Sequence, residues 1–207
     1  TRGFWRNIYF SSQVLATSRL SYATVSWAGY SEGAGIYVDR SSPTIDNVTV
    51  AGSSGSGITV TGSAAHPTLS SSTITSSNGV GLDLTSGGTV SASNVTFTNN
   101  GGFAISQEPG ITLLAATGLV ATGNGSNAIE LRGGAVGSNA TWRATDLAYI
   151  VTGDVFVEGA GSPVLTIEPG VVVKFNAWRG LIVGYYGPGR LEAVGTASQP
   201  ITFTANS

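Results

Sequence analysis

The strongest constraint in this sequence is a spacing, because similar segments recur with a period of about 24 residues, the range that is typical of repeat architectures. PTIDNVTVAGSSGSGITV occupies residues 43–60, and its counterpart PTLSSSTITSSNGVGLDL occupies residues 67–84. A third segment, SNVTFTNNGGFAI, repeats the pattern over residues 93–105. Two less similar copies of the repeat are GLVATGNGSNAIEL and, upstream, SYATVSWAGYSEGAGIYV. The aligned positions are Ile45 with Leu69, Val50 with Ile74, Ile58 with Leu82, Ile74 with Phe97, and Ser71 with Asn94.

Each round contains two or three short alternating strands separated by Gly, Ser and Asn clusters, and no window has helical spacing. A period of this length without helices predicts an all-β solenoid, in which stacked coils bury ladders of inward apolar residues. Leucine-rich repeats need a fixed Leu and Asn frame that is missing here, and propeller blades need longer repeats. Glycine, with 30 of 207 residues, fits a chain that turns often.

Charge excludes several classes of partner. Nine basic and eleven acidic residues are scattered along the chain and give a net charge of −2. No basic patch therefore points to nucleic acid or an acidic membrane, and no apolar run is long enough to predict membrane insertion. Cys and Met are both absent. We expect an extracellular or cell-surface protein, as a processed product or a segment of something longer.

Several segments carry a family resemblance. LTIEPGVVVKF, GLIV, RLEAVGT and QPITFTA are similar to a module of the right-handed parallel β-helix repeats found in large secreted and surface proteins of bacteria and archaea. WRNIYF, SRLSYATVSWAG and SSPTIDN resemble the part that normally follows that module. The resemblance implies one β-helix domain over residues 1–207, with regular coils over 1–134 and longer coils over 135–207. We expect about nine coils, roughly 43 Å long, with uncapped ends.

The order of these modules predicts self-assembly. In the resembling proteins the ITFTA coil runs into a WRxIxF coil, whereas here the first ends the chain and the second begins it. We therefore expect one period of a tandem array, or a subunit that stacks head to tail on copies of itself, because uncapped coils leave strand edges unpaired. The expected assembly interface is Thr1, Arg2, Phe4, Trp5, Ile201, Phe203 and Ser207.

Catalytic residue patterns are sparse. Glycoside hydrolysis needs two neighbouring carboxyl groups, and Asp39 with Asp46, or Asp154 with Glu158, are the pairs that coils could bring together. His66 is the only histidine and stands in a turn, and Lys174 is expected to point outward from a strand. No phosphate loop, cofactor motif or calcium repeat is present in the sequence. We predict a non-enzyme without cofactor or metal, and keep a polysaccharide lyase or hydrolase as an alternative.

Asparagines and aromatic residues are the remaining candidates. Asn47 and Asn94 occupy equivalent positions, where stacked side chains would form a ladder along the coils. Both lie in Asn-x-Ser/Thr sequons, as do Asn124 and Asn139, so glycosylation is a further prediction. Trp5 and Trp27 are expected to fill the core. Trp178, Tyr185 and Tyr186 are expected to contact either a glycan or a lateral neighbour, which leaves an adhesin or carbohydrate-binding stalk as an alternative to a structural filament.

Overall fold

The computed structural model describes residues 1–31 and 33–207, and its regular structure is entirely β. Twenty-five short strands follow one another along the chain. They are β1 Ile8–Phe10, β2 Arg19–Ser21, β3 Thr24–Ser26, β4 Ala34–Asp39, β5 Thr44–Asp46, β6 Thr49–Ala51, β7 Ser56–Thr61, β8 Thr68–Ser70, β9 Thr73–Thr75, β10 Leu82–Thr85, β11 Ser91–Ser93, β12 Thr96–Thr98, β13 Phe103–Gln107, β14 Ala115–Thr117, β15 Val120–Thr122, β16 Ser126–Leu131, β17 Gly134–Val136, β18 Ala140–Trp142, β19 Tyr149–Val151, β20 Val155–Val157, β21 Val164–Ile167, β22 Val172–Phe175, β23 Leu181–Val183, β24 Arg190–Ala193 and β25 Thr202–Ala205.

Every third strand returns to the same sheet, so the chain winds as a solenoid with three sides. One side is a nine-stranded parallel sheet that runs the whole length, from β1 to β25, and we call it the long sheet. Two five-stranded sheets complete the first coils, and two three-stranded sheets complete the last ones. The long sheet therefore has nine rungs, which enclose eight complete turns. Within the described ranges, no helix has the length and apolarity needed to cross a membrane.

The repeat read from the sequence sets the register of the sheets. Ile45 pairs with Leu69, Val50 with Ile74, Ile58 with Leu82 and Ile74 with Phe97, as the spacing predicts. In each strand the side chains alternate between the interior and the surface. The interior positions form ladders whose members are almost fully buried, and burying one Ile or Leu side chain contributes about 1.5–3 kcal/mol.

The corners between sides are built by single residues with left-handed backbone. Asn47, Ser71, Asn94 and Gly118 stack at one corner, with φ of 52°, 46°, 52° and 63°. Asn is among the residues that tolerate this conformation, and Gly adopts it at no steric cost. At Gly118 a Cβ would also collide with Oδ1 of Asn94 in the coil beneath. The sequence equivalence of these positions therefore reflects the left-handed turn that they share.

The cross-section of the solenoid changes after β16. The two five-stranded sheets end at β14 and β15, and new sheets begin at β17 and β18. This change lies close to residue 135, where the sequence pattern is expected to change from regular to longer coils. Ile129 pairs with Tyr149, Tyr149 with Val173 and Val173 with Phe203. Of these three steps, the one from Val173 to Phe203 is the longest and the one from Ile129 to Tyr149 is the shortest. Along the long sheet, the increase in coil length within residues 135–207 is therefore confined to the last coil.

Candidate assembly surfaces

The last coil exposes side chains that belong to the interior ladders. Phe203 pairs with Val173, and both side chains point inward. Val173 is fully buried, whereas Phe203 is 46% exposed because no coil lies above it in this structure. Its ring packs on Phe175 beneath, with ring centroids 6.4 Å apart. An inward-facing aromatic ring is thus half open to solvent.

The other two sides of the last coil show the same feature. Leu181 and Val183 continue the ladder of Val155 and Val157, which are fully buried. Leu191 and Ala193 continue the ladder of the next side and are only partly buried. Together these residues form an apolar surface across the end of the solenoid. We define the C-terminal end face as Leu181, Val183, Leu191, Ala193, Phe203 and Ala205.

The first coil presents a second open end. Ile8 and Phe10 pair with Ile36 and Val38, which are fully buried, but are themselves only partly buried. Leu20, on the next side, is also only partly buried. We define the N-terminal end face as Ile8, Phe10 and Leu20. The loop after β1 adds an apolar projection, because the Leu15 side chain is 74% exposed.

The first residues lie on the flank of the solenoid instead of at this end. The Arg2 guanidinium donates to Oδ1 of Asn78 and, at 2.8 Å, to the carbonyl of Ser76, and both residues lie two coils away from the first coil. Phe4 donates its amide to the carbonyl of Trp27, 2.9 Å away. Of the predicted interface residues, Phe203 lies on the C-terminal end face and Ile201 and Ser207 adjoin it. Thr1, Arg2 and Phe4 belong to the flanking segment.

The carboxylates tie neighbouring coils together, which is a different use from the paired arrangement of a hydrolase. Each of the ten carboxylates that the structure describes has a polar partner; Glu32 lies outside the described residues. Asp154 accepts the amide of Gly180 at 3.0 Å, and Glu158 accepts the amide of Tyr186 at 2.6 Å. The same role recurs for Glu108, Asp146 and Glu168. These acids therefore satisfy turn amides of the adjacent coil.

The remaining candidate acids are engaged at the surface. Asp39 accepts two hydrogen bonds from Arg40, at 2.9 and 3.0 Å, and these hold the pKa of Asp39 below its usual value. Asp46 is bonded to Asn47 and to Ser70 of the next coil, at 2.9 Å in each case. Within residues 1–31 and 33–207 no group of three acidic or histidine side chains is placed to hold a metal ion.

Comparison with known proteins identifies the family. The family described as right handed beta helix region matches residues 8–142, which is more than half of the chain. The chain belongs to the right-handed β-helix family. The searches of curated proteins and of solved structures gave no significant match. The fold is thereby established, and because a fold of this kind occurs in both enzymes and non-enzymes, it leaves the activity open.

Two tryptophans that the sequence placed in the core lie at the surface of the β-helix. Trp5 is 37% exposed and Trp27 is 51% exposed, so the core prediction is wrong for both. Trp27 sits at a left-handed corner with φ of 62°, and its indole covers Gly52 of the next coil. Trp5 lies just before β1, where its indole nitrogen donates to the carbonyl of Ser26 at 2.8 Å. The buried tryptophan is Trp142, whose indole nitrogen donates to the carbonyl of Pro109.

The predicted contact residues Trp178, Tyr185 and Tyr186 are all exposed. Trp178 is 96% exposed, and its φ of 64° is unusual for a bulky side chain. It borders an open hollow of about 580 Å³ between the turn after β22 and the end of β25. Tyr185 and Tyr186 form an edge-to-face pair with centroids 4.5 Å apart. Tyr186 also packs on Phe156 and borders a second hollow of about 440 Å³ beside Glu158.

The asparagine ladder exists, but at positions that the sequence reading missed. Asn100 and Asn124 point toward the interior of consecutive coils, and Asn100 donates to Oδ1 of Asn124 at 2.9 Å. Asn100 also accepts the amide of Ser77 and donates to the carbonyl of Ile74. The predicted residue Asn47 donates instead to its neighbour Asp46. The signal available in the sequence was the recurrence of Ser53, Ser77, Asn100 and Asn124 at the repeat spacing.

The sequons differ in accessibility. Asn47, Asn94 and Asn139 are exposed. The amide nitrogen of Asn124 donates to the carbonyl of Phe97 and to Oδ1 of Asn127, both at 2.9 Å, so it is occupied. His66 is an exposed turn residue, and Lys174 points outward between the inward Val173 and Phe175, as predicted.

Proposed function

We propose that this β-helix is a structural unit that stacks end to end on copies of itself in an extracellular or cell-surface filament. The observation that carries the proposal is the half-exposed ring of Phe203 on a ladder whose members from Ile36 to Val173 are buried. Covering it with another coil would remove apolar surface from water, at about 25 cal/mol per Å². The Leu181, Val183 and Leu191 side chains of the same face would gain in the same way.

Stacking also explains the unpaired strand edges. The outer edges of β1 and β25 have no neighbour among the described residues, and such edges are templates for further pairing. The two ends are different surfaces, so a contact between them is heterologous. Heterologous contacts that do not close into a ring generate open filaments. The geometry therefore favours a fibre over a closed dimer.

We propose a mechanical role instead of catalysis. Its support is the use of the acidic side chains, since Asp154, Glu158 and Glu168 bind amides of adjacent coils. A carboxylate that satisfies a turn amide stabilises the stack and is held away from substrate chemistry. Turnover of uronic-acid polymers that is lost on changing Asp39 or Asp154 would contradict this role.

Assembly is tested by placing a charge on the C-terminal end face. Phe203→Lys would bury an ammonium group in the junction, and we expect it to leave the chain monomeric in sedimentation velocity runs at concentrations where the parent polymerises. Leu114→Lys is the matched control, because Leu114 is 47% exposed but lies away from both ends. Circular dichroism checks that both variants keep the β fold. Equal polymerisation of Phe203→Lys and parent would contradict the proposal.

A second candidate function is glycan binding. The specific observation is the Tyr185 and Tyr186 pair beside Glu158 and an open hollow, since exposed aromatic faces stack on sugar rings. Tyr186→Ala should abolish binding to a glycan array and leave assembly unchanged. An array on which parent and Tyr186→Ala give the same signals would remove this candidate.

A further inference from the structure

We propose that the place where the cross-section of the solenoid changes is a docking site for an extended segment of another protein, which adds a parallel strand to β15. This strand is the last of its five-stranded sheet, and it lies between the two ends of the solenoid. The site is therefore independent of both end faces and goes beyond the proposed end-to-end assembly. We call the uncovered edge, residues 119–123, the shelf.

The shelf is uncovered because the next coil takes a shorter course on this side. Asp146 accepts the Leu119 amide at 2.9 Å, and the carbonyl of Ala148 accepts the Ile129 amide at 2.9 Å. A single residue of the upper coil joins these two points, whereas residues 120–128 join them in the coil beneath. The upper chain is therefore too short to follow β15, and it passes on the inner side of that strand.

The main chain of the shelf presents hydrogen-bonding groups in the pattern that a parallel strand needs. Val120 donates its amide to the carbonyl of Val95 in the coil beneath. The carbonyl of Thr122 accepts the amide of Asn99 from the same coil. Alternate residues of a strand bond to opposite neighbours, so the amide and the carbonyl of Ala121 face the open side.

Two further groups extend this pattern at the ends of the shelf. The corner residues Ser76 and Asn99 each donate their amide to a strand carbonyl of the next coil. Gly123 occupies the same corner with φ of 65°, and in the described part of the chain no carbonyl above accepts its amide. An added strand would therefore donate to the carbonyls of Leu119 and Ala121 and accept from the amides of Ala121 and Gly123.

The added strand would also continue an interior ladder. Ile74 and Phe97 are fully buried members of this ladder, and Ala121 continues it but is only partly buried. The partner residue opposite Ala121 would point inward, so an apolar side chain there removes apolar surface from water. The wall above the shelf consists of residues 145–149 and 170–172, and a hollow of about 270 Å³ between them leaves room for that side chain.

The charge at the start of the shelf favours a basic residue in the partner. Asp146 is exposed, and it uses Oδ2 for the Leu119 amide, which leaves Oδ1 for a further donor. The nearby Arg143 is already paired with Glu168 at 3.1 Å. A Lys or Arg just before the pairing residues would form an ion pair with Asp146. The partner is thus an extended segment in which a basic residue precedes alternating polar and apolar residues.

Docking is tested with a fluorescein-labelled peptide, Lys-Val-Thr-Phe-Thr-Asn, which carries the sequence of residues 95–99 after a lysine. Its Phe is designed to lie opposite Ala121. Fluorescence anisotropy measures its binding to the full chain at a concentration below assembly. The control peptide has Pro in place of the second Thr and lacks the amide that would bond to the Ala121 carbonyl. We expect saturable binding of the first peptide and binding of the control that is about tenfold weaker.

Two variants of the chain test the same hydrogen bonds from the other side. Ala121→Pro removes an amide that faces the shelf, and proline is tolerated on an edge strand at such a position. Ala121→Ser keeps the amide and is the matched control. Ala121→Pro should weaken peptide binding about tenfold, and Ala121→Ser should change it less than about twofold. Circular dichroism checks the fold of both variants, and if Ala121→Pro loses its β signal, the proline peptide decides the question.

The charge has its own readout. Asp146→Asn keeps an oxygen for the Leu119 amide but removes the charge, so it should weaken binding of the lysine peptide about threefold at low salt. It should leave binding unchanged for a peptide with Gln in place of Lys. Equal effects of Asp146→Asn on the two peptides would overturn the preference for a basic residue.

Three results would overturn the docking site itself. They are no saturable binding up to about 1 mM peptide, equal binding by the parent and Ala121→Pro, and equal binding of the two Thr and Pro peptides. Self-association that Ala121→Pro abolishes, without peptide binding, would assign the edge to a second copy and overturn the proposed partner. Phe203→Lys should bind the peptide as the parent does, so the failure of docking and the failure of end-to-end assembly are distinguishable.

Discussion

The buried asparagine ladder offers a sharp test of how the coils are held together. Asn100 is 2% exposed and lies between the coils of Ser77 and Asn124. Its Oδ1 accepts the Ser77 amide at 3.0 Å, and its Nδ2 donates to Oδ1 of Asn124 at 2.9 Å and to the carbonyl of Ile74 at 3.1 Å. Asn100→Ala removes all three bonds and leaves the Ser77 amide buried with no acceptor.

The expected cost is large for one substitution. Leaving a buried amide unpaired costs about 1–3 kcal/mol, and each of the other lost bonds contributes about 0.5–1.5 kcal/mol. We therefore expect Asn100→Ala to lower the free energy of unfolding by about 3 kcal/mol. With a urea m-value of roughly 2–3 kcal/mol/M, the unfolding midpoint should fall by about 1 M.

The control lies one coil away on the same ladder. The Ser77 hydroxyl is buried and has no hydrogen-bond partner, so Ser77→Ala removes an unsatisfied polar group without removing a bond. The urea unfolding midpoint of Ser77→Ala should therefore equal that of the parent or exceed it. Urea unfolding followed by circular dichroism at a concentration below assembly compares the two. Equal losses for Asn100→Ala and Ser77→Ala would refute the account of the ladder.

Three further predictions concern packing, pH and modification. Gly57→Ala should destabilise by several kcal/mol, since a Cβ there would strike the Ile74 side chain, whereas Gly137→Ala, with no atom within 4 Å, should be nearly neutral in the same unfolding assay. Burial raises the pKa of the Tyr149 phenol above 10.0, so the folded chain keeps a proton that the unfolded chain loses. Stability should fall as pH rises above about 10, and less steeply in Tyr149→Phe; equal slopes would contradict this. Mass spectrometry after expression in a glycosylating host should find Asn124 unmodified.

The periodic part of this β-helix is readable from sequence because strand alternation and coil spacing act together. The repeat spacing predicted the partners of Ile74 on both sides, since every coil must place an apolar residue on the same ladder. The left-handed corners were visible as recurring Asn, Ser and Gly. Local chemistry and long-range pairing agree at these positions.

The irregular parts were less predictable because they depend on contacts that no period encodes. Trp27 has the aromatic character of a core residue, but it occupies a corner position, where the side chain points outward. The Asp83 and Arg132 ion pair, with 2.6 Å between Nη1 and Oδ1, joins side chains that lie two coils apart along the chain. The N-terminal segment lies on the flank of the solenoid, where Arg2 makes a similar long-range contact with Asn78.

End-to-end assembly is tested most directly by electron microscopy of the polymerised chain with helical image analysis. Nine rungs of the long sheet at about 4.8 Å each predict an axial rise per subunit near 43 Å, with strand density continuous from β25 into β1. Filaments with that rise and that continuity are the predicted result. Isolated rods at high concentration, or filaments whose subunits meet through their flanks, would contradict the account.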